Sequence, residues 1–140
     1  MNLAELIAPH IPYLRRFARS LTGSQSSGDA YVSATLEALV ADRSIFPTNL
    51  DSKVALYKVF SQLWKSVDIN LADLPPASHA WEEQARRSLR AIAPLPRQAF
   101  LLMAVERFSN DEGAEILGVS DVEFSHLIDT ASQEMFFFFF

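Results

Sequence analysis

The chain has no cysteine, which excludes disulfides and thiolate metal sites. Its 4 glycines form no phosphate-cradling loop, and no serine sits in a nucleophile elbow. His10, His79 and His126 are far apart and share no ligand spacing. Acid pairs such as Glu82-Glu83 and Asp111-Glu112 read as solvated helix faces. No catalytic site, cofactor or metal is therefore expected. No apolar stretch approaches the roughly 20 residues needed to cross a bilayer. The start, Met1 to Phe17, has no basic region ahead of an apolar core, so no secretory signal is expected and a cytoplasmic location is the default. The run Phe136 to Phe140 is set aside from fold reasoning as a scar or truncation artefact, with a short hydrophobic anchor as the other reading. The most telling absence is local. Ser120 to Met135 contains no Lys or Arg, and carries Asp121, Glu123, Asp129 and Glu134.

Charge is unevenly spread. Residues 1–70 hold seven basic and six acidic side chains, and residues 71–140 hold five and eleven. The two halves are thus +1 and −6, which sum to the net −5. The strongly acidic second half argues against nucleic acid as its partner.

The periodicity is helical throughout, so the expected class is all-α. Leu3, Leu6, Ile7, Leu14, Phe17, Ala18 and Leu21 place a helix over Asn2 to Leu21, kinked by Pro9 and Pro12 and stopped by Gly23. Ser24 to Gly28 reads as a loop. Asp29 then starts a second helix to Ala41, with an apolar stripe of Val32, Leu36, Leu39 and Val40 and with Tyr31 at its margin. A third helix is expected from Leu50 to Val67, after a turn at Pro47. Asp68 to His79, with Pro75-Pro76, reads as a linker. Four further helices follow: Trp81–Ile92, Arg97–Glu106, Asn110–Leu117 and Ser120–Glu134. Gly118 closes the third of these and Ser120 caps the fourth, with Glu123 at the capping-box position. Two small units result, residues 1–67 and 80–135 around the linker 68–79. Each is small enough to gain from docking on a neighbour.

The last helix occupies the reading position of a helix-turn-helix. Leu95-Pro96-Arg97-Gln98-Ala99-Phe100-Leu101-Leu102, followed by Ala114-Glu115-Ile116-Leu117-Gly118-Val119-Ser120, resembles region 4 of extracytoplasmic-function sigma factors. Leu14 to Gly23, Asp29 onward and Leu56 to Trp64 resemble region 2 of the same family, in the same order. The departures lie where that family touches its targets. Against the family's reading helix, Ser125 replaces a Lys, while Leu127 and Thr130 replace Args; Phe124, Ile128 and Ala131 keep the packing stripe. In the helix that grips RNA polymerase, Val32 and Ser33 stand where the family has Gln and Glu. Ser61-Gln62 stands where the family has an Arg-Asn-like pair used around promoter melting.

A sigma-like chain without polymerase and DNA contacts resembles the PhyR-type response regulators of the bacterial general stress response. The resemblance implies a sigma mimic that sequesters an anti-sigma factor of the NepR type and so releases the true sigma factor. It covers the sigma-like domain only. The receiver domain of the full-length protein is thus an expected partner, and its phospho-accepting Asp and Mg²⁺ site are not expected in this sequence. Neither nucleic acid nor membrane is an expected partner. The alternatives are a genuine extracytoplasmic-function sigma factor and a helix-turn-helix DNA-binding adaptor. The candidate partner-binding residues are Val32, Leu36, Met103, Val122, His126 and Leu127, an apolar set suited to an amphipathic helix. Arg15, Arg16 and Arg19 are candidate charge contacts for an acidic segment, with a solvated face as the plainer reading. Leu127 is open between core and contact.

Overall fold

The computed structural model describes residues 2–72 and 94–139. Every regular element among them is helical. The chain divides into two compact units, Met1–Ile92 and Ala93–Phe140.

In the first unit, α1 (Leu3–Ile7) is capped by the Asn2 side chain, which accepts from the Glu5 N–H at 2.8 Å. A 3-10 turn, Ala8–His10, absorbs Pro9, and Pro12 falls in the first turn of α2 (Ile11–Thr22), where no intrahelical N–H is lost. The expected helix from Asn2 is thus broken in two at the prolines. Gly23 (φ 73°) ends α2 and donates its N–H to the Arg19 carbonyl at 2.9 Å.

The next helix departs from expectation. It is α3, Gln25–Ala41, and it begins four residues before Asp29. Ser24 supplies the cap by accepting from the Ser27 N–H at 3.1 Å. Asp29, inside the helix, instead receives both Nε and Nη2 of Arg19 at 2.9 and 3.0 Å. Gly28 is what lets α3 lie against α2. A Cβ there would fall 2.6 Å from the Arg19 nitrogen and 2.7 Å from its Cα. This seating turns Tyr31, Val32, Thr35 and Leu39 inward and leaves Val40 84% exposed. The buried stripe is therefore rotated from the expected one. Tyr31 is core rather than margin, and Val40 is surface.

A 3-10 turn, Arg43–Ile45, is pinned by Asp42, which accepts from the Ser44 N–H at 3.0 Å, and Phe46 anchors the following loop in the core. Asp51 accepts from the Lys53 N–H at 3.1 Å and opens α4, Ser52–Ala72. From Val54 to Ser61 every residue but Lys58 is buried, so α4 is the central helix of this unit. Phe17 packs on Tyr57 and Phe60 at ring separations of 5.3 and 6.0 Å, and Tyr31 reaches Phe60 at 6.3 Å. α4 continues past the expected end at Val67 into the first residues assigned to the linker. The rest of that linker, residues 73–79, and the expected helix Trp81–Ile92 lie outside the described residues.

The second unit opens with α5 (Leu95–Phe100), which runs into a π-helical turn at Leu101–Val105. The Glu106 N–H closes that turn on the Leu101 carbonyl at 3.0 Å. The expected single α-helix to Glu106 is widened at its second half. Arg107, at φ 62°, then reverses the chain and places Phe108 in the core. α6 (Asn110–Leu117) has a full capping box: Ser109 Oγ accepts from the Glu112 N–H at 3.2 Å, and Glu112 Oε1 accepts from the Ser109 N–H at 2.9 Å. Gly118 (φ 70°) ends it with paired bonds, Gly118 N–H to Glu115 O and Val119 N–H to Ala114 O. Ser120 caps α7 (Asp121–Phe139), accepting from the Glu123 N–H at 3.1 Å.

The Arg19–Asp29 pair yields a pH prediction. Its hydrogen bonds hold the Asp29 carboxyl below its ordinary range, with the charges of Arg19 and Arg15 adding to this. Stability from this source is present above the unfolded carboxylate range and lost as pH falls through the lowered folded value. Asp29→Asn should melt below the parent at neutral pH. The gap should close as pH is lowered through the acid range in paired thermal melts.

Candidate functional site

α6, the three-residue turn Gly118-Val119-Ser120 and α7 form the helix-turn-helix. Its angle is fixed from inside. Phe124 is fully buried against Gly113 of α6, and Ile116, Leu117 and Ala131 are buried in the same pair of helices. Asn110 ties the two helix starts together: its Nδ2 donates to the Asp121 carbonyl at 3.2 Å, and its Oδ1 accepts from Ser125 Oγ at 3.0 Å. Of these contacts, the Ser125 hydroxyl bond alone uses a side chain of the outer face of α7.

That outer face is where such a motif would meet base edges and phosphates. Asp121, Val122, Glu123, Ser125, His126 and Asp129 are exposed there. Asp121 lies beside Asp111 of α6. The hydrogen bond to Asp111, partial desolvation and the repulsion between the two push the Asp121 carboxyl above its ordinary range. The acids in the first turns of α6 and α7 are favourable to their own helix dipoles. They are unfavourable to a phosphate chain.

A second feature lies in the first unit. Leu3, Ile7 and Ile11 face Leu36, Leu39 and Val40 across a groove of ≈ 370 Å³ between the N-terminal segment and the end of α3. Arg43, just past α3, is the charged residue among the described ones lining it.

Known proteins sort these features. A family model for the sigma2 domain of PhyR matches residues 7–61. A second model, for the sigma-like domain of the response regulator PhyR, matches residues 89–136. The chain belongs to the PhyR family. It is 42% identical over 135 residues to the phyllosphere-induced regulator PhyR of Methylorubrum extorquens, covering 96% of this chain and 49% of that one. The crystal structure of the response regulator PhyR from Brucella abortus is 51% identical, with a TM-score of 0.75, over 96% of this chain and 44% of that one. The NMR structure of the PhyRSL–NepR complex from Sphingomonas sp. Fr1 is 40% identical, with a TM-score of 0.73, over 96% of this chain and 87% of that chain. The chain thus spans about half the length of the curated relative and corresponds to its sigma-like part. Among the described residues, no helix is long and apolar enough to cross a membrane.

Within this PhyR-family chain the candidate residues fall in different places. Val122 is 81% exposed and His126 is exposed, both on the outer face of α7. Leu127 is half-buried beside the packing stripe, and Ile128, expected within that stripe, is half-buried too. Met103 is exposed with Ala104 and Val105, three in a row, because the π turn shifts the helical register. Leu36 is half-buried in the groove wall. Val32 is corrected: at 1% exposure it belongs to the core, turned there by the close seating of α3 on α2. Arg15 and Arg16 are exposed, with Arg16 standing over the Tyr13 ring at 5.3 Å. Arg19 is engaged by Asp29. The sequence reading missed the groove residues Leu3, Ile7, Ile11 and Arg43. Val40 was the available signal, since a helix start at Ser24 puts it off the buried stripe.

Proposed function

We propose that this chain is a sigma-factor mimic that captures a NepR-type anti-sigma factor and so releases the true sigma factor in a general stress response. The observation that carries the reading is the outer face of α7, which keeps helix-turn-helix geometry while its exposed residues are acidic, polar or apolar. The Sphingomonas relative, which spans nearly the same segment, was solved as a complex with NepR. Such a mimic is a binding protein with no catalytic step, acting in the cytoplasm. Residues 1–67 serve as its region-2-like unit and 80–135 as its region-4-like unit, joined by 68–79. In the intact regulator a receiver domain would control access to both.

Calorimetry against purified NepR of Sphingomonas sp. Fr1 and of Bartonella quintana tests this. Binding is expected without any phosphorylated component. Val122→Lys and Leu127→Lys should each weaken it at least tenfold while the melting temperature holds. The same chain should pass through heparin and promoter-DNA columns at moderate salt. Retention on promoter DNA, together with initiation by core polymerase, would replace this reading with a genuine sigma factor.

A further inference from the structure

Arg107 holds a backbone conformation that its own side chain makes costly. Its φ of 62° lies in the left-handed region, where no other described residue except glycine is found. A Cβ crowds the following carbonyl there, so glycine, or less often asparagine or aspartate, is the usual occupant. The conformation is imposed from both sides. Before it, the Glu106 N–H bonds to the Leu101 carbonyl at 3.0 Å, and after it the Phe108 N–H bonds to the Leu102 carbonyl at 3.0 Å. Both flanking side chains are buried, and Arg107 between them is exposed. Nothing within the chain offsets this cost. The guanidinium makes no hydrogen bond or ion pair among the described residues, although Asp111 and Glu112 stand in the first turn of the next helix. Strain held at an exposed residue with no internal partner points outward, to something the protein binds.

The surroundings narrow what that is. The π turn displays Met103, Ala104 and Val105 in succession, an apolar surface just ahead of Arg107 in the chain. Methionine and arginine are both enriched at protein interfaces. A planar guanidinium takes a carboxylate or a phosphate through two parallel bonds. A nucleic acid is disfavoured by charge, since Asp111, Asp121, Glu123 and Asp129 are exposed on the same unit. A small anion would need several converging donors, and the side chains of Met103, Ala104 and Val105 supply none. What fits is a protein surface that sets a carboxylate beside apolar side chains. We propose that Arg107 is a partner-contact residue, retained against backbone strain to pair with a carboxylate of the anti-sigma factor while Met103 and Val105 cover the apolar side chains next to it. This assignment rests on the anti-sigma reading above and adds a residue that belongs to neither helix of the helix-turn-helix.

The test is calorimetry of the whole chain against NepR of Sphingomonas sp. Fr1 and of Bartonella quintana, with melts of every variant. Arg107→Gly relieves the strain and removes the cation. Its melting temperature should rise by about 4–8 °C. Its Kd should rise by about fivefold, the upper end for an exposed ion pair. Arg107→Asn, which tolerates the left-handed region without a charge, should weaken binding equally. Both gaps from the parent should narrow from low to high salt. Val105→Lys should also weaken binding, with melting unchanged. A residue kept for structure alone would move the melting temperature and leave Kd where it was. That result in Arg107→Gly, while the parent binds, would overturn the assignment and leave the anti-sigma reading standing. A melting temperature at or below the parent's would overturn it too, since no strain would have been relieved. Loss of self-association in Arg107→Gly by sedimentation, with NepR affinity unchanged, would give the surface to a second copy instead. Failure of the parent chain to bind either NepR would overturn both readings.

Discussion

Phe124→Ala should destabilise the second unit by about 3–5 kcal/mol, the usual loss for a fully buried phenylalanine. Phe124 has no exposed surface and the tip of its ring abuts Gly113, so its truncation leaves a void inside the unit. Gly113→Ala should also be harmful, because a Cβ at that position overlaps the Phe124 ring. Alone, it sets an overpacking penalty of about 1–3 kcal/mol against a helix-propensity gain of about 1 kcal/mol. With Phe124→Ala the overlap vanishes and only the propensity gain is left. Gly113→Ala should therefore change sign, from destabilising in the parent to stabilising in the Phe124→Ala background. A double-mutant cycle by urea denaturation reads this directly. Additive effects would mean that the two residues do not share the contact described.

Gly28→Ala is the corresponding test of the first unit. Here the obstructing atoms are backbone, at 2.6–2.9 Å from the added methyl, and cannot rotate away. Separation of α2 from α3 is the relief available. It would loosen Tyr31, Val32 and Thr35 together and stretch the Arg19–Asp29 pair. A net loss of about 2 kcal/mol is expected even after the propensity gain of alanine. For a unit of this size that lowers the melting temperature by about 10 °C. Circular dichroism melts would detect it, and a parent-like melt would show that α3 is not seated as described.

These two glycines also mark where sequence reading reached its limit. Ser120 and Gly118 were legible because each acts on its own backbone within a few residues, and α6 runs over the expected Asn110–Leu117. The start of α3 was not legible. Ser24 and Asp29 are both competent caps, and the choice between them is made by the fit of Gly28 on α2. With the start misplaced by four residues, Val32 reads as a partner contact and Val40 as part of the buried stripe, whereas Val32 is core and Val40 is exposed. The π turn at Leu101–Val105 leaves no mark in apolar spacing, so the exposure of Met103 was anticipated without its cause. The groove depends on where α1 comes to lie, a tertiary fact that the pattern of α1 does not contain. The acidic character of α7 was fully legible, since charge needs no coordinates.

The bonds from Asn110 to Asp121 and Ser125 have an evolutionary consequence. They hold α6 against α7 through Asn110 and the Asp121 carbonyl, with Ser125 the one outer-face side chain that takes part. The remaining outer-face residues can then be exchanged one at a time without touching this link. A lineage could drift from reading a promoter to imitating its reader without crossing a misfolded ancestor.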